Sequence, residues 1–417
     1  MILAHINRQI VPTLTPVMND YSRNHIFCHE NNFLQYNYSE LLYNKRYCIV
    51  IECLEEKGLH MMKEKRILFT GGGTAGHVIV NLALIPHFQA AGWKIDYIGS
   101  KAGIERDLIA EVPNVTYHPI STGKLRRYMS IENLKDPFKV LKGTLDAWRI
   151  IGKTKPNVIF SKGGFVSVPV VVAARLRRVP TIIHESDYTP GLANKIAAPF
   201  AKKIVTTFEE TLEYVPDKKA THIGAVIREE LFEGTKQRGL QITKLSTEKP
   251  VMLIMGGSIG SQKINKVVRE NLDVLLTSFQ IVHICGKDNM DPTIQQKGYV
   301  QYEYVNEELK DIFAITDFVI SRAGANAIFE FLAMDIPMLL IPLSLAASRG
   351  DQIDNAKSFE KKGYAQVLQE EDMTKESFLE AVYKLEKSAP ILRGKMKEYS
   401  SKESRDQIIQ MIEKMAK

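Results

Sequence analysis

Twice in this 417-residue chain a short apolar run breaks off into glycines and then into a helix-forming stretch. The first is Phe69-Thr70-Gly71-Gly72-Gly73-Thr74-Ala75-Gly76-His77, the second Met255-Gly256-Gly257-Ser258-Ile259-Gly260-Ser261. A glycine turn between strand and helix lets backbone N–H groups approach an anion, and the helix N-terminus adds roughly half a positive charge. One such turn is a weak signal, since tight packing also calls for glycine. Two at matched places predict a doubled α/β chain whose ligand cleft lies between two sets of strand C-terminal ends.

The pattern around these turns agrees. Candidate strands are Arg66–Thr70, Lys94–Ile98, Val158–Phe160, Thr181–Ile183 and Lys203–Thr206 in a first series. Val251–Met255, Gln280–Ile284, Phe318–Ile320, Met338–Ile341 and Ala365–Leu368 form a second. Helical patterns of ten or more residues separate most of them, so the reading is α/β, two Rossmann-like domains of parallel sheet covered by helices. The seam falls around Ile223–Glu229, and Gly234–Lys249 reads as polar surface. Residues 62–226 then make the N-terminal domain, 227–399 the C-terminal one, and 400–417 a final helix. Residues 1–61, rich in Asn, Tyr and His, show no sustained period and read as an extension that is disordered or not native, with the start at Met61 or Met62.

No apolar run approaches the ~20 residues that cross a bilayer. The longest, Val166–Ala174 and Met338–Ala347, contain proline and read as buried strands with their exits. Four cysteines, none in a C-x-x-C spacing, give neither a disulfide framework nor a zinc site. A net charge of +7 suits an acidic partner, and by itself fits anionic lipid, nucleotide phosphate and nucleic acid equally.

Polar residues gather where strands end. His77, at the start of a helix, has the ordinary pKa of about 6.5 that suits a general base; its plainer role is to fill a helical turn. Phe165 follows a further glycine pair, Gly163-Gly164. His184, Glu185 and Asp187 close another strand and Asn194 follows them, with Asp187 and Thr189 also good helix caps. In the second half, Glu330 lies about two turns into the helix after Arg322-Ala323-Gly324, where it can reach ribose hydroxyls or simply face solvent. Asp351 and Gln352 open a later helix and suit sugar hydroxyls. Lys124, Arg126, Arg127 and Tyr128, followed by Phe138 and Trp148 among further lysines and arginines, describe a surface for anionic lipid, or an ordinary amphipathic helix with a solvated basic face. The chain has no Asp-x-Asp triplet to hold a metal–diphosphate, so no metal site is expected and helix dipoles must stabilise a leaving diphosphate.

Taken in order, Gly71–His77, Gly163-Gly164-Phe165-Val166-Ser167, His184-Glu185-Ser186-Asp187, Gly256-Gly257-Ser258, Arg322-Ala323-Gly324 and Asp351-Gln352 with Asn355-Ala356 resemble the MurG family from Met62 onward. These are the undecaprenyl-diphospho-muramoylpentapeptide N-acetylglucosaminyltransferases of peptidoglycan synthesis. The resemblance implies a GT-B fold, two Rossmann-like domains facing each other across a cleft, with the last helix, about Glu403–Ala416, returning to the first domain. It implies inverting transfer from UDP-N-acetylglucosamine to the 4-hydroxyl of the lipid-linked muramoyl-pentapeptide, with no cofactor and no nucleic-acid partner. His77 matches the base. Thr74, Ala75 and Gly76 match the loop near the donor sugar and acceptor diphosphate. Arg228, Gly257, Ser258, Val305, Gly324, Glu330, Asp351 and Gln352 match donor-side places: phosphate or nucleoside for Arg228 and Ser258, uracil for Val305, ribose for Glu330, sugar for Gln352. Phe165, His184, Glu185, Asp187 and Asn194 fall on the acceptor and sugar side, Asp187 standing where many members carry asparagine. The anionic membrane surface on the cytoplasmic side and the division and elongation machinery follow as candidate partners. Another GT-B enzyme, such as a diacylglycerol glucosyltransferase, a nucleotide-sugar epimerase, or a non-enzymatic nucleotide-sugar scaffold, stays open as an alternative.

Overall fold

The computed structural model describes residues 64–123, 131–216, 218–257, 259–399 and 403–417. From the start of this region the chain runs β1 (Arg66–Thr70), α1 (Gly76–Ala90), β2 (Lys94–Ser100), α2 (Ile104–Ala110), β3 (Val115–Ile120) and α3 (Ile131–Thr154). It continues β4 (Val158–Ser161), α4 (Ser167–Leu176), β5 (Thr181–Glu185), α5 (Leu192–Ala197), β6 (Lys203–Thr206) and β7 (Ala220–His222). The second half begins with α6 (Lys236–Thr243), β8 (Val251–Met255), α7 (Gln262–Glu270), α8 (Leu272–Ser278), β9 (Gln280–Ile284), β10 (Tyr299–Tyr302) and α9 (Leu309–Ile315). It closes with β11 (Phe318–Ser321), α10 (Ala325–Ala333), β12 (Met338–Leu340), α11 (Asp351–Lys361), β13 (Ala365–Val367), α12 (Lys375–Met396) and α13 (Ser404–Met415).

The strands form two sheets, ordered β3-β2-β1-β4-β5-β6-β7 and β10-β9-β8-β11-β12-β13, with every pairing parallel. Sheets covered on both faces bury continuous apolar runs, as Val251–Ile254 and Val158–Phe160 do. In each sheet the order reverses at one strand, β1 or β8, and both glycine turns follow that strand. Ligands of open α/β sheets bind at such switch points, so the topology alone puts both turns at the cleft.

Phe69, Phe88 and Phe160 anchor the first core, their rings in tilted and edge contacts at 6.1 and 6.0 Å. Each such ring contributes roughly 1.5–3 kcal/mol on burial. The last helix, α13, packs Ile408, Ile409 and Ile412 into this same first-half core. His87 pairs with Glu413 at 3.2 Å, and Asn157 Nδ2 donates to the Ala416 carbonyl at 3.4 Å. Ser404 Oγ donates to the Ile223 carbonyl at 2.9 Å, so the two chain segments that pass between the halves lie side by side.

Two expectations are corrected. The run Val166–Ala174 is helix α4, not a strand; Pro169 falls in its first turn, where its missing N–H costs nothing, and the helix is buried on most sides. Residues Gly234–Lys249 are not all surface: α6 buries Gly239 and Thr243, with the Gly239 backbone lying against the Asp311 carbonyl. The segment 1–61 and the start at Met61 or Met62 lie outside the described residues.

Candidate active site

The first glycine turn is pinned from below. Tyr97 Oη donates to the Gly71 carbonyl at 2.8 Å, Asn81 Nδ2 donates to the Thr70 carbonyl at 3.2 Å, and the Thr70 hydroxyl donates to the Ile98 carbonyl at 2.9 Å. Glu105, in the first turn of α2, is wholly buried behind the turn. Its carboxylate accepts the Gly73 N–H at 3.1 Å and the Ser100 N–H at 2.9 Å. Burial works against the charge, but the hydrogen bonds from Ser100 and Gly73 outweigh it and hold this carboxyl below its ordinary range. Gly164 (φ 78°) closes over the turn: a Cβ there would stand 2.1 Å from the Gly72 carbonyl oxygen and 3.3 Å from His77 Nδ1.

His77 is the second residue of α1, half-buried between these two turns. Its Nδ1 lies 3.0 Å from Thr74 Oγ1. Burial first, then the charge of Lys162, lowers its pKa to about 4, so the ring is neutral at neutral pH. Ala75 caps α1 with its carbonyl, which accepts from the Val78 and Ile79 N–H groups. The Gly76 carbonyl accepts from Asn326 Nδ2 of the second half at 2.9 Å.

The residues around the end of β5 mostly hold one another. Glu185 accepts from the Asp187 N–H at 3.1 Å, and from the Gly191 N–H and Asn194 Nδ2 at 2.9 Å each. Asn194 Nδ2 also donates to the His184 carbonyl at 3.1 Å. The His184 ring is 1% exposed, packed 6.1 Å from the Phe160 ring with Nε2 3.4 Å from Thr207 Oγ1. It sits in the core rather than at the cleft. Capping of α5 by Asp187 is not what forms: Glu185 takes the Gly191 N–H at that helix start, while Asp187 accepts from Asn355 Nδ2 of the second half at 3.0 Å. Phe165 is half-buried just beyond Gly164.

On the opposite side, the Gly256–Ser261 turn folds tightly on itself, with Gly260 (φ 81°) placed where a Cβ would be 2.0 Å from the Cys285 carbonyl. Gly257 faces open space, and Ser258 lies outside the described residues. Ser261 Oγ caps α7 through the Ile264 N–H and accepts from Arg322 at 2.7 Å. Arg322 is 7% exposed and also binds the Ile341 and Pro342 carbonyls and Glu370, so it buttresses the turn from behind.

Arg228 and Glu330 meet as a pair, Nε to Oε1 at 3.0 Å and an Nη to Oε2 at 3.3 Å. Glu330 is 7% exposed, which removes the solvent-facing reading; burial raises its pKa against the pull of Arg228. The Val305 side chain packs into the second core with Leu309 and Phe313. Gly324 precedes α10 with nothing within 4 Å of a Cβ. Asp351 begins α11 after a left-handed Gly350, and Gln352 Oε1 accepts the Leu343 N–H at 3.1 Å.

Along α3, Phe138, Leu141, Leu145 and Trp148 are exposed, while Gly143, Ala147 and Ile151 face the core. At these positions the apolar stripe is therefore not core. The Arg177 guanidinium lies 3.5 Å over the Trp148 ring. Lys124, Arg126, Arg127 and Tyr128 lie outside the described residues. No helix among the described residues is long and apolar enough to cross a membrane.

Sequence reasoning missed Glu105 and Lys162 as parts of this constellation, and noted Asn355 only within a motif, without a role. Lys162 carried a signal, a charge wedged between a strand and two glycines; the other two act through partners remote in sequence.

The chain matches the glycosyltransferase family 28 N-terminal domain over residues 67–206 and the family 28 C-terminal domain over 251–411. It is 64% identical over 357 residues to a UDP-N-acetylglucosamine–N-acetylmuramyl-(pentapeptide) pyrophosphoryl-undecaprenol N-acetylglucosamine transferase of Oceanobacillus iheyensis, covering 86% of this chain and 100% of that one. A protein of the same name from Geobacillus kaustophilus is 60% identical over 322 residues, covering 77% and 90%. Among solved structures, Acinetobacter baumannii MurG superposes with a TM-score of 0.67 at 24% identity, covering 84% of this chain and all of that one. The kitacinnamycin glycosyltransferase gives 0.66 at 15%, covering 85% and 100%. The last two establish the GT-B fold. With both family 28 domains present and relatives this similar along nearly their whole length, the chain belongs to the MurG family of N-acetylglucosaminyltransferases.

Proposed function

We propose that this protein transfers N-acetylglucosamine from UDP-N-acetylglucosamine to the 4-hydroxyl of a lipid-linked N-acetylmuramoyl-pentapeptide, with His77 as the base. The observation that carries the base assignment is a neutral imidazole beside a glycine turn whose carbonyl Gly76 is tied to the opposite half. Nδ1 is engaged by Thr74 Oγ1 at 3.0 Å, so we assign the lone pair that takes the proton to Nε2. Nε2 takes the proton of the attacking hydroxyl as the new oxygen–carbon bond forms at the anomeric carbon. The bond from that carbon to the diphosphate breaks from the opposite face, and UDP leaves with the electron pair. Backbone donors of the Gly256–Ser261 turn and the N-terminus of α7 balance the charge on the diphosphate. Arg228 and Glu330 hold the nucleoside end, Glu330 toward the ribose hydroxyls.

The lipid carrier needs a surface, and the exposed Phe138, Leu141, Leu145 and Trp148 of α3, interleaved with Lys142 and Arg149, form one suited to anionic phospholipid. On this reading the protein works as a peripheral enzyme on the cytoplasmic face, within reach of division and elongation machinery. The test is radiolabelled UDP-N-acetylglucosamine with lipid-linked muramoyl-pentapeptide, run beside UDP-glucose with diacylglycerol. Transfer only in the second mixture overturns the substrate assignment. His77→Ala should cut turnover by about 10²–10⁴ with donor affinity unchanged, and near-wild-type turnover rejects the base.

A further inference from the structure

Beyond its charge acting on His77, Lys162 has no role in the account above, yet it occupies the centre of the first-half site. It is 2% exposed, and its backbone N–H donates to the Thr70 carbonyl at 2.9 Å, at the foot of the first glycine turn. Gly71 approaches so closely that a Cβ there would stand 3.1 Å from Lys162 Cβ. The Lys162 ammonium donates to Ser186 Oγ. Burying an ammonium costs several kcal/mol unless opposite charge is near. Here the residues flanking Ser186 supply it: burial drives Lys162 toward neutrality while Glu185 and Asp187 oppose that drift. Glu185 is already covered by three N–H donors, and Asp187 is engaged by Asn355, which also accepts the Tyr188 N–H at 2.9 Å and donates to the Ala323 carbonyl at 3.1 Å. One buried cation thus stands among the Gly71–His77 turn, the Gly163-Gly164 turn and the 185–188 turn that touches the second half.

We propose that Lys162 is a positioning residue for the transfer reaction: its buried ammonium balances Glu185 and Asp187 and, through Ser186, fixes the turn that meets Asn355 across the cleft while His77 faces the acceptor. This deepens the reading of His77 given above and rests on it. The charged and titratable groups acting on His77 are Lys162 behind it, Arg349 from the second half and Glu105 behind the turn. Those acting on Asp187 are Glu185, Asp351 and Lys162. Removal of Lys162 takes away a cation that disfavours protonated His77 and leaves two carboxylates without their counter-ion.

The test uses the full chain with UDP-N-acetylglucosamine and lipid-linked acceptor, comparing wild type, Lys162→Met, Asp187→Asn and the double variant. Asparagine at 187 can still accept from Asn355. Lys162→Met should lower kcat/KM for the acceptor by about tenfold to a hundredfold, the scale of a misplaced reacting group. UDP affinity, measured by equilibrium binding, should stay within about twofold, because the second half is untouched. The acid limb of kcat/KM should move up by part of the gap to about pH 6.5, because burial, the larger cause of the lowering, remains when the cation is removed. The double variant should recover several-fold over Lys162→Met. Unchanged acceptor kcat/KM and an unmoved acid limb in Lys162→Met overturn the proposal, as does a double variant no better than the single one. Should Lys162→Met fail to fold, the double variant carries the test against Asp187→Asn: an acid limb raised by the added Lys162→Met change supports the role, and an identical limb overturns it. Wild-type enzyme that transfers nothing to the acceptor would instead count against the functional reading itself.

Discussion

The pH dependence of the transfer is the sharpest consequence of where His77 sits. Its pKa is lowered to about 4 by burial and by the neighbouring cations Lys162 and Arg349. A free imidazole has a value of about 6.5 and is only about 3% neutral at pH 5, whereas a pKa of about 4 leaves roughly 90% neutral there. The two cases differ by about thirtyfold in competent enzyme at that pH, or about 2 kcal/mol in apparent barrier. The measurement is kcat/KM for the acceptor between about pH 4 and 8 at saturating donor, where this ratio reports groups of the enzyme form that meets the acceptor. A plateau should extend from neutrality to about pH 5, with circular dichroism confirming that the protein stays folded at each point. Loss of activity with a midpoint between about 6 and 7, in protein still folded, would refute the reasoning, because the base would then be titrating as if solvated.

Three further outcomes follow from particular contacts. Arg228→Met leaves Glu330 buried without its cation; stability should fall by about 3–5 kcal/mol by urea denaturation, with donor affinity reduced, and a change under about 1 kcal/mol would contradict the pairing. Phe138→Glu with Leu141→Glu should weaken binding to vesicles containing anionic phospholipid by at least about tenfold, since each side chain is worth roughly 1.5–3 kcal/mol when buried in lipid; unaltered sedimentation moves the docking face elsewhere. His283, buried and linked to Asn265 and Tyr299, has its pKa lowered to about 3 by burial and Arg269. The unfolded chain takes up this proton first, so stability is complete above about pH 6.5 and is lost as pH falls from there toward about 3, by up to roughly 1.4 kcal/mol per unit for this group; a urea midpoint equal at about pH 7 and 5 would deny it.

Much of the architecture was readable because its signals are local. Val251–Met255, Gln280–Ile284 and Lys203–Thr206 form with the expected limits, each a largely buried, mostly apolar or β-branched run. The unread strands are β3, with Pro119 and an alternation of half-buried and exposed positions, the three-residue β7, and β10, all at sheet edges. Edges bury less, so they leave less pattern. The α4 run failed for the opposite reason: surrounded on most sides, it has no polar face to display a period. At the site, glycine spacing announced both turns, but Glu105 supports Gly73 from 32 residues away and Arg228 finds Glu330 across 102. Nothing in either neighbourhood records such a partner; only the topology brings them together.

The placement of α13 has a further consequence, one of timing. During synthesis the first half emerges with an uncovered apolar strip beside α1 and β4, because Ile408, Ile409 and Ile412 are made only after the second half. The second half can complete its own sheet while the first still waits for its closing helix. A nascent chain therefore spends the translation of its second half with an incomplete first core, the condition in which chaperone capture and misassociation occur. Maturation of the half that carries His77 is tied to the arrival of α13, so a truncation that removes it would strike a site more than 300 residues upstream.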